Sequence, residues 1–192
     1  MNLFPDAKLW YVRAGIEGCT AVQSTIQVRT AMPDSESRYE HSSWSEARPV
    51  QLSIPGYVPW HLDVLELPGN RGYLAMVASY QRFSNCANSD VWLASSPDGM
   101  TWRAYAVPIF ARTMKAAKQI GISTWYRGTL RYDPFTDMVD LWPSGMSKSV
   151  WGVYHATAKL SDLLALLESA LPSDFHPPAF NQSVNPMPLQ MP

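Results

Sequence analysis

Runs of apolar residues broken by Gly, Pro, Asn and Asp recur along this chain, and most have the length of strands rather than helices. WHLDVLEL (60 to 67), YLAMVASY (73 to 80), DVWLASS (90 to 96) and TWRAYAVPIF (101 to 110) are rich in β-branched and aromatic residues. Such runs, bounded by turn formers, read as half-buried or fully buried strands. PGNRG and PDGM supply two of the turns, so the stretch predicts a four-stranded antiparallel meander. In the second turn Asp98-Gly99 makes the tight reversal, and Trp102 gives the outgoing strand a large apolar surface.

The meander is one copy of a repeat. An offset of 65 residues aligns Trp60 with Trp125, Leu65 with Leu130, Leu67 with Tyr132 and Leu74 with Val139. The same offset backward aligns Leu74 with Leu9 and Val91 with Ile26. Self-similarity at a fixed period is the mark of a repeat architecture. The first copy holds LWYVRAG (9 to 15) and TIQVRTA (25 to 31), then "MPD" and a longer loop to Trp44 and ARPVQLSI, and it lacks an opening strand. The third holds WYRGTLRYDP (125 to 134), DMVDLWPSG (137 to 145) and SVWGVYHATA (149 to 158). A helix replaces its last strand: KLSDLLALLESAL (159 to 171) has Ser161 as a candidate N-cap and Leu163, Leu164, Leu167 and Leu171 at helical spacing. Such a stripe reads as packing surface.

The pattern predicts an all-β fold of β-propeller-like, antiparallel four-stranded units. About two and a half to three repeats form an incomplete ring over residues 1–158, followed by the helix at 159–171 and a Pro-rich extended tail at 172–192. Closed propellers have about four to eight blades. A partial set leaves strand edges to be covered, so other chains are expected as partners, in a homo-oligomer or larger assembly. The tail, with Phe175, Phe180, Met187, Leu189 and Met191 as anchors, is expected to dock on the domain or a neighbouring chain.

Composition narrows the function classes. In 192 residues, 15 Lys and Arg oppose 16 Asp and Glu, which leaves no basic footprint for nucleic acid and no polybasic membrane patch. MNLFPDAKLWYV does not read as a secretion signal, and no window approaches the roughly 18 apolar residues of a membrane span. A soluble chain without an export address of its own is expected. Cys19 and Cys86 could pair, but two thiols make no disulfide framework and fit no zinc spacing, so the favoured expectation is that both are unpaired core or loop residues. No cofactor and no metal are implied.

Trp60-His61-Leu62-Asp63-Val64, then Gly72-Tyr73-Leu74, then Val91 through Trp102 ("VWLASSPDGMTW") resemble a blade of the five-bladed β-propeller glycoside hydrolases of the arabinanase, xylosidase and invertase type. Trp125-Tyr126-Arg127 with "LRYDP" and "SVWGVYHAT" resembles the next blade, and the resemblance spans roughly residues 20 to 158. "SPDGMTW" also approaches the Asp-box of sialidase-type propellers, from which it departs by lacking the residue between Asp and Gly. The resemblance implies catalytic carboxylates on the innermost strands of successive blades, and Asp63 occupies such a position. Glycoside hydrolysis commonly uses two carboxyl groups. The offset puts Gly128 opposite Asp63, and no Glu lies between Glu66 and Glu168.

Asp63 is therefore either a catalytic remnant or a local backbone acceptor. His61 is either a sugar contact or a satisfied structural histidine, and His155, placed in mid-strand, is read the same way. Trp60, Trp125 and Tyr126 either stack on sugar or fill the space between units, with Arg127 beside them. RTMKAAKQIG (112 to 121) brings Arg112, Lys115 and Lys118 onto a short connecting loop or helix, read as a solvated face by default and otherwise as an anion or acidic-glycan contact. The function expected is a non-catalytic structural or adhesion module with a glycosidase-like propeller fold that contacts glycans, for which a bacteriophage virion, tail or surface, is a fitting setting. The alternative is a glycoside hydrolase active only as an oligomer, with Asp63 as one catalytic carboxylate, and a third reading is a purely architectural protein that binds no sugar, its Pro-rich tail serving as a strap.

Overall fold

The computed structural model of the chain describes residues 7–15, 18–31 and 44–168. The predicted tail and the last residues of the predicted helix lie outside the described residues. Three antiparallel sheets are stacked in chain order. The first comprises β1 (Lys8–Ala14), β2 (Ser24–Thr30) and β3 (Arg48–Pro49), in that order. The second is the complete meander of β4 (Tyr57–Glu66), β5 (Tyr73–Gln81), β6 (Ser89–Ser96) and β7 (Arg103–Ala104). After a short helix, α1 (Lys115–Gln119), the third sheet follows with β8 (Ile122–Asp133), β9 (Met138–Ser147), β10 (Val150–Val153) and β11 (Ala156–Lys159). A helix, α2 (Leu160–Glu168), closes the described chain. The architecture is all-β and propeller-like, an open stack rather than a closed ring.

The repeat is visible in the strand starts. Lys8 and Tyr73, Ser24 and Ser89, Tyr57 and Ile122, and Tyr73 and Met138 each open a strand, and each pair is 65 residues apart. β1 thus corresponds to β5, and among the described residues the first sheet has no counterpart of β4.

Packing follows from alternation along β5. Leu74, Met76 and Ala78 face the third sheet, in a core shared with Val91, Leu93, Trp125, Leu130, Val139 and Leu141. Tyr73, Ala75 and Val77 face the first sheet, in a core with Ile26, Ile54, Trp92 and Trp102. Successive strand residues point to opposite faces, so a strand covered on both sides is apolar at nearly every position. Burying a Leu, Val, Met or aromatic side chain contributes roughly 1.5–3 kcal/mol, so β5, buried on both faces, contributes to both interfaces, as β6 does with Val91 and Leu93 on one face and Trp92 and Ala94 on the other.

The outgoing strand predicted at 101 to 110 is shorter than its sequence suggests. Only Arg103–Ala104 pairs as a strand, with Val91 bridging Phe110 further on. Pro108 cannot donate to a ladder, and Trp102, Tyr105, Ile109 and Phe110 turn inward. Trp102 serves the first interface and Tyr105, Ile109 and Phe110 the second. The Asp98-Gly99 turn forms as expected: Asp98 Oδ1 accepts from Met100 N and Thr101 N at 2.8 Å each, and Gly99 has φ +76°. Those backbone donors hold the Asp98 carboxyl below its ordinary pKa. Trp10 Nε1 and Trp102 Nε1 both donate to Gly99 O at 3.0 Å, tying the first sheet to the second.

Three expectations are corrected. α2 begins at Leu160, so Ser161 is not its side-chain cap; the acceptors come from the β8–β9 turn, where Asp137 O takes Leu160 N at 2.8 Å and Asp137 Oδ2 takes Ser161 N at 3.3 Å. His155 lies between β10 and β11 rather than in mid-strand, and its Nε2 is 2.7 Å from Asp140 Oδ1. Cys19 and Cys86 are not free: they form a disulfide with a Cα–Cα separation of 5.1 Å. Cys19 lies in the β1–β2 connection and Cys86 in the β5–β6 connection. These are equivalent loops of adjacent copies, and stacking the copies brings them side by side.

The bridge spans 67 residues of sequence, a closure that a chain-entropy estimate values at about 4 kcal/mol. Cys19→Ser, or reduction of the wild type, is therefore expected to lower unfolding free energy by about 2–4 kcal/mol. Urea titration with and without reductant measures this, and Cys19→Ser should be insensitive to reductant.

Candidate functional site

Prolines shape the inner strands. β4 shifts register between Pro59 and His61, and β8 shifts between Trp125 and Gly128, opposite Pro143 of β9. Proline inside a sheet is confined largely to edges and bulges because it has no N–H for the ladder. Each bulge releases the residues beside it: Trp60 in β4, and Tyr126 with Arg127 in β8. Ser144 Oγ donates to Arg127 O at 2.5 Å and holds the second bulge.

The two bulges meet at the junction of the second and third sheets. The His61 ring meets Tyr126 edge-on at 4.4 Å between centroids, and Trp60 meets His61 at 5.6 Å. Tyr126 continues to Trp151 of β10 at 5.4 Å, and the Arg127 guanidinium lies 5.6 Å from the Tyr126 centroid. Trp151 is 40% exposed and Arg127 is also exposed. The result is an aromatic belt, closed at the Trp60 and His61 end and open to solvent at Trp151 and Arg127.

His61 is neutral at physiological pH. Burial, aided by the positive charge of Arg127, lowers its pKa from 6.5 to about 4. Its Nε2 is buried without a hydrogen-bond partner, as is Trp60 Nε1.

Of the residues predicted to contact sugar, Trp60, His61, Tyr126 and Arg127 are brought together, and Trp125 is not. Trp125 is 1% exposed and packs against Phe110 and Tyr154 in the core. Its repeat partner Trp60 sits on the bulge and stays half-buried. The sequence pattern does not single out Trp151. The available signal is a bulky aromatic beside the Lys148-Ser149 turn, on a strand whose Val150, Trp151 and Val153 are all exposed.

Asp63 points into the inter-sheet seam. Its Oδ2 accepts from Thr129 Oγ1 at 2.7 Å and from Leu130 N at 3.1 Å, clamping β4 to β8. Gly128, its repeat equivalent, has no room for a side chain. A Cβ there would lie 2.5 Å from Met76 Cε, 2.7 Å from Trp142 O and 2.8 Å from Pro143 Cα. The close approach of β9 at the bulge excludes a second carboxylate at that point. Among the described residues no group of three or more His, Cys, Asp or Glu is arranged to hold a metal ion, and no helix is long and apolar enough to cross a membrane.

No family model and no curated protein matches the chain. Solved structures do. An N-acetylgalactosamine deacetylase from F. plautii, in complex with blood group B trisaccharide, is 18% identical with a TM-score of 0.64, over 83% of this chain and 48% of that one. BT0996, in an RGII complex, is 13% identical with a TM-score of 0.52, over 80% of this chain and 53% of that one. A glycoside hydrolase is 12% identical with a TM-score of 0.50 over the same shares. The chain therefore spans about half the length of the structures it matches. At these identities the likeness is one of fold alone.

Gly128→Ala is expected to destabilise the protein by on the order of 1–3 kcal/mol, because backbone on β9 must move to admit the methyl group. Chemical denaturation measures the loss, and an unchanged midpoint would refute the close approach. His61 gives a second expectation. Its folded pKa lies below the unfolded value, so its contribution is present above about pH 6.5 and lost as pH falls toward 4. Thermal unfolding of the wild type should weaken over that window, and His61→Gln should flatten the dependence.

Proposed function

We propose that the chain is a non-catalytic structural or adhesion module that contacts carbohydrate and works within a larger assembly. The observation that carries this reading is the open aromatic belt of Tyr126 and Trp151, backed by His61 and flanked by Arg127, at the inner junction of two sheets. Flat aromatic faces edged with polar groups suit sugar rings, whose C–H faces are apolar and whose rims bond to polar side chains. The glycan-related proteins that share the fold support the same class of ligand, as does the resemblance of the repeat to propeller glycoside hydrolase blades. Fold alone assigns no function, so the weight rests on the belt.

Two features favour binding over hydrolysis. Asp63 is engaged in an inter-sheet clamp, and its repeat equivalent is a glycine that admits no carboxylate. Hydrolysis by the usual route needs two carboxyl groups about the scissile bond. A second chain would have to supply the partner if Asp63 acted as a catalytic carboxylate in an oligomer. The disulfide suits a protein that works outside a reducing cytosol, and a virion tail or surface is one such setting. Partner chains would meet the uncovered strand edges.

Binding to an immobilised glycan panel tests the reading. Trp151→Ala and Tyr126→Ala should each weaken binding roughly ten-fold while leaving the fold intact. No reducing sugar should be released from any panel member. Release that disappears in Asp63→Asn would overturn the non-catalytic reading in favour of the oligomeric hydrolase.

A further inference from the structure

The charge around the aromatic belt is one-sided. Residues 99 to 132 contain Arg103, Arg112, Lys115, Lys118, Arg127 and Arg131 and no Asp or Glu. Residues 141 to 161 add Lys148 and Lys159, again with no acid. The whole chain is nearly neutral, so this asymmetry is local. Of the acids nearest in sequence, Asp90 pairs with Arg112, Asp98 accepts from Met100 N and Thr101 N, Asp133 accepts from Phe135 N, Asp137 lies by Arg71 and Asp140 pairs with His155, while Asp162 stands exposed in the first turn of α2.

Arg127 is the basic group that reaches the belt. Its guanidinium lies over the Tyr126 ring and forms no ion pair among the described residues. Two lysines stand at the same end of the third sheet. Lys148 begins the β9–β10 turn, three residues before Trp151, and Lys118 lies near the C-terminus of α1. Ser147 Oγ, next to Lys148, donates to Ile120 O at 2.6 Å, which joins the two segments. Asp63, the carboxylate nearest along the inner strand, is turned to Thr129 and Leu130 in the seam.

From this we infer that the belt selects a glycan carrying a carboxylate, such as a uronic or sialic acid residue. Tyr126 and Trp151 supply the stacking surface, Arg127 receives the carboxylate, and Lys148 and Lys118 add a favourable field. A guanidinium presents parallel N–H donors that match the two oxygens of a carboxylate, which distinguishes it from a lysine point charge. The inference rests on the glycan-contact reading above and names the ligand class of that site.

The experiment uses the full chain and an array on which oligogalacturonate, oligoglucuronate and sialyllactose each stand beside their own methyl ester. Esterification removes the charge and keeps the sugar. The wild type should bind at least one acid about ten-fold or more tightly than its ester, with a preference that shrinks as salt rises. Arg127→Gln should reduce that acid to the level of its ester, whereas Arg127→Lys should restore the preference only in part. Equal binding of acids and esters by the wild type, or a preference retained in Arg127→Gln, would overturn the acidic-ligand inference and leave glycan contact standing. If no member binds, acid or ester, and neutral glycans fail as well, the underlying reading falls together with it.

Discussion

Burial of β5 on both faces is the constraint from which the rest of the structure follows. Leu74, Met76 and Ala78 are committed to one core and Tyr73, Ala75 and Val77 to the other, so the second sheet stands only if both neighbours stand with it. A strand with two apolar faces is poorly defended against a register slip, since moving one residue exchanges one apolar set for another. Turn geometry supplies the missing specification. Gly69, Asn70 and Gly72 all adopt positive φ in the β4–β5 connection, and a Cβ on Gly72 would lie 2.3 Å from Ser96 O. That fit holds in only one alignment of β4, β5 and β6.

The same stacking explains why the ends of the array look different from its centre. On the outward face of the third sheet, Trp142 stacks on His155 with ring centroids 5.2 Å apart, and His155 bonds to Asp140. Polar partners there take the place of a further apolar sheet. On its inner side α2 delivers Leu160, Leu163 and Leu167 to the core, and the Tyr105 hydroxyl donates to Leu163 O. Burial raises the pKa of that phenol, which keeps it a hydrogen-bond donor. The helix fills the place where a fourth row of strand would otherwise pair.

Function enters where the ladder fails. Pro59 in β4 and Pro143 in β9, opposite β8, mark the two bulges, and the residues these free, Trp60, Tyr126 and Arg127, join the paired His61 and Trp151 in the aromatic belt. Bulges re-aim side chains that a regular strand would bury or splay. Trp60 and Trp125 share a place in the repeat yet meet different fates because Trp60 is itself the unpaired residue of its bulge, whereas Trp125 keeps its partner Gly145 and the bulge follows it. The residue opposite Asp63 is a glycine for a packing reason, and Asp63 itself serves as a clamp. The Asp63 carboxylate thus holds β4 to β8 beside the junction where the belt lies.

From the sequence alone, the 65-residue period, the strand runs and their turn residues determine the all-β class and the order of the three sheets, because alternation and turn chemistry are local properties. Most of the belt is legible as well, since Trp60, His61, Tyr126 and Arg127 lie where the repeat places its inner strands. Proline inside two strand runs carries the signal for the bulges. What the tertiary structure decided is contact between copies. Cys19 and Cys86 differ by 67 residues, close to the period, yet only the stacking of equivalent loops makes them partners. Trp125 goes to the core while Tyr126 reaches the belt because the register shift in β8 falls directly after Trp125, and Trp151 joins them only because β10 folds back along β9.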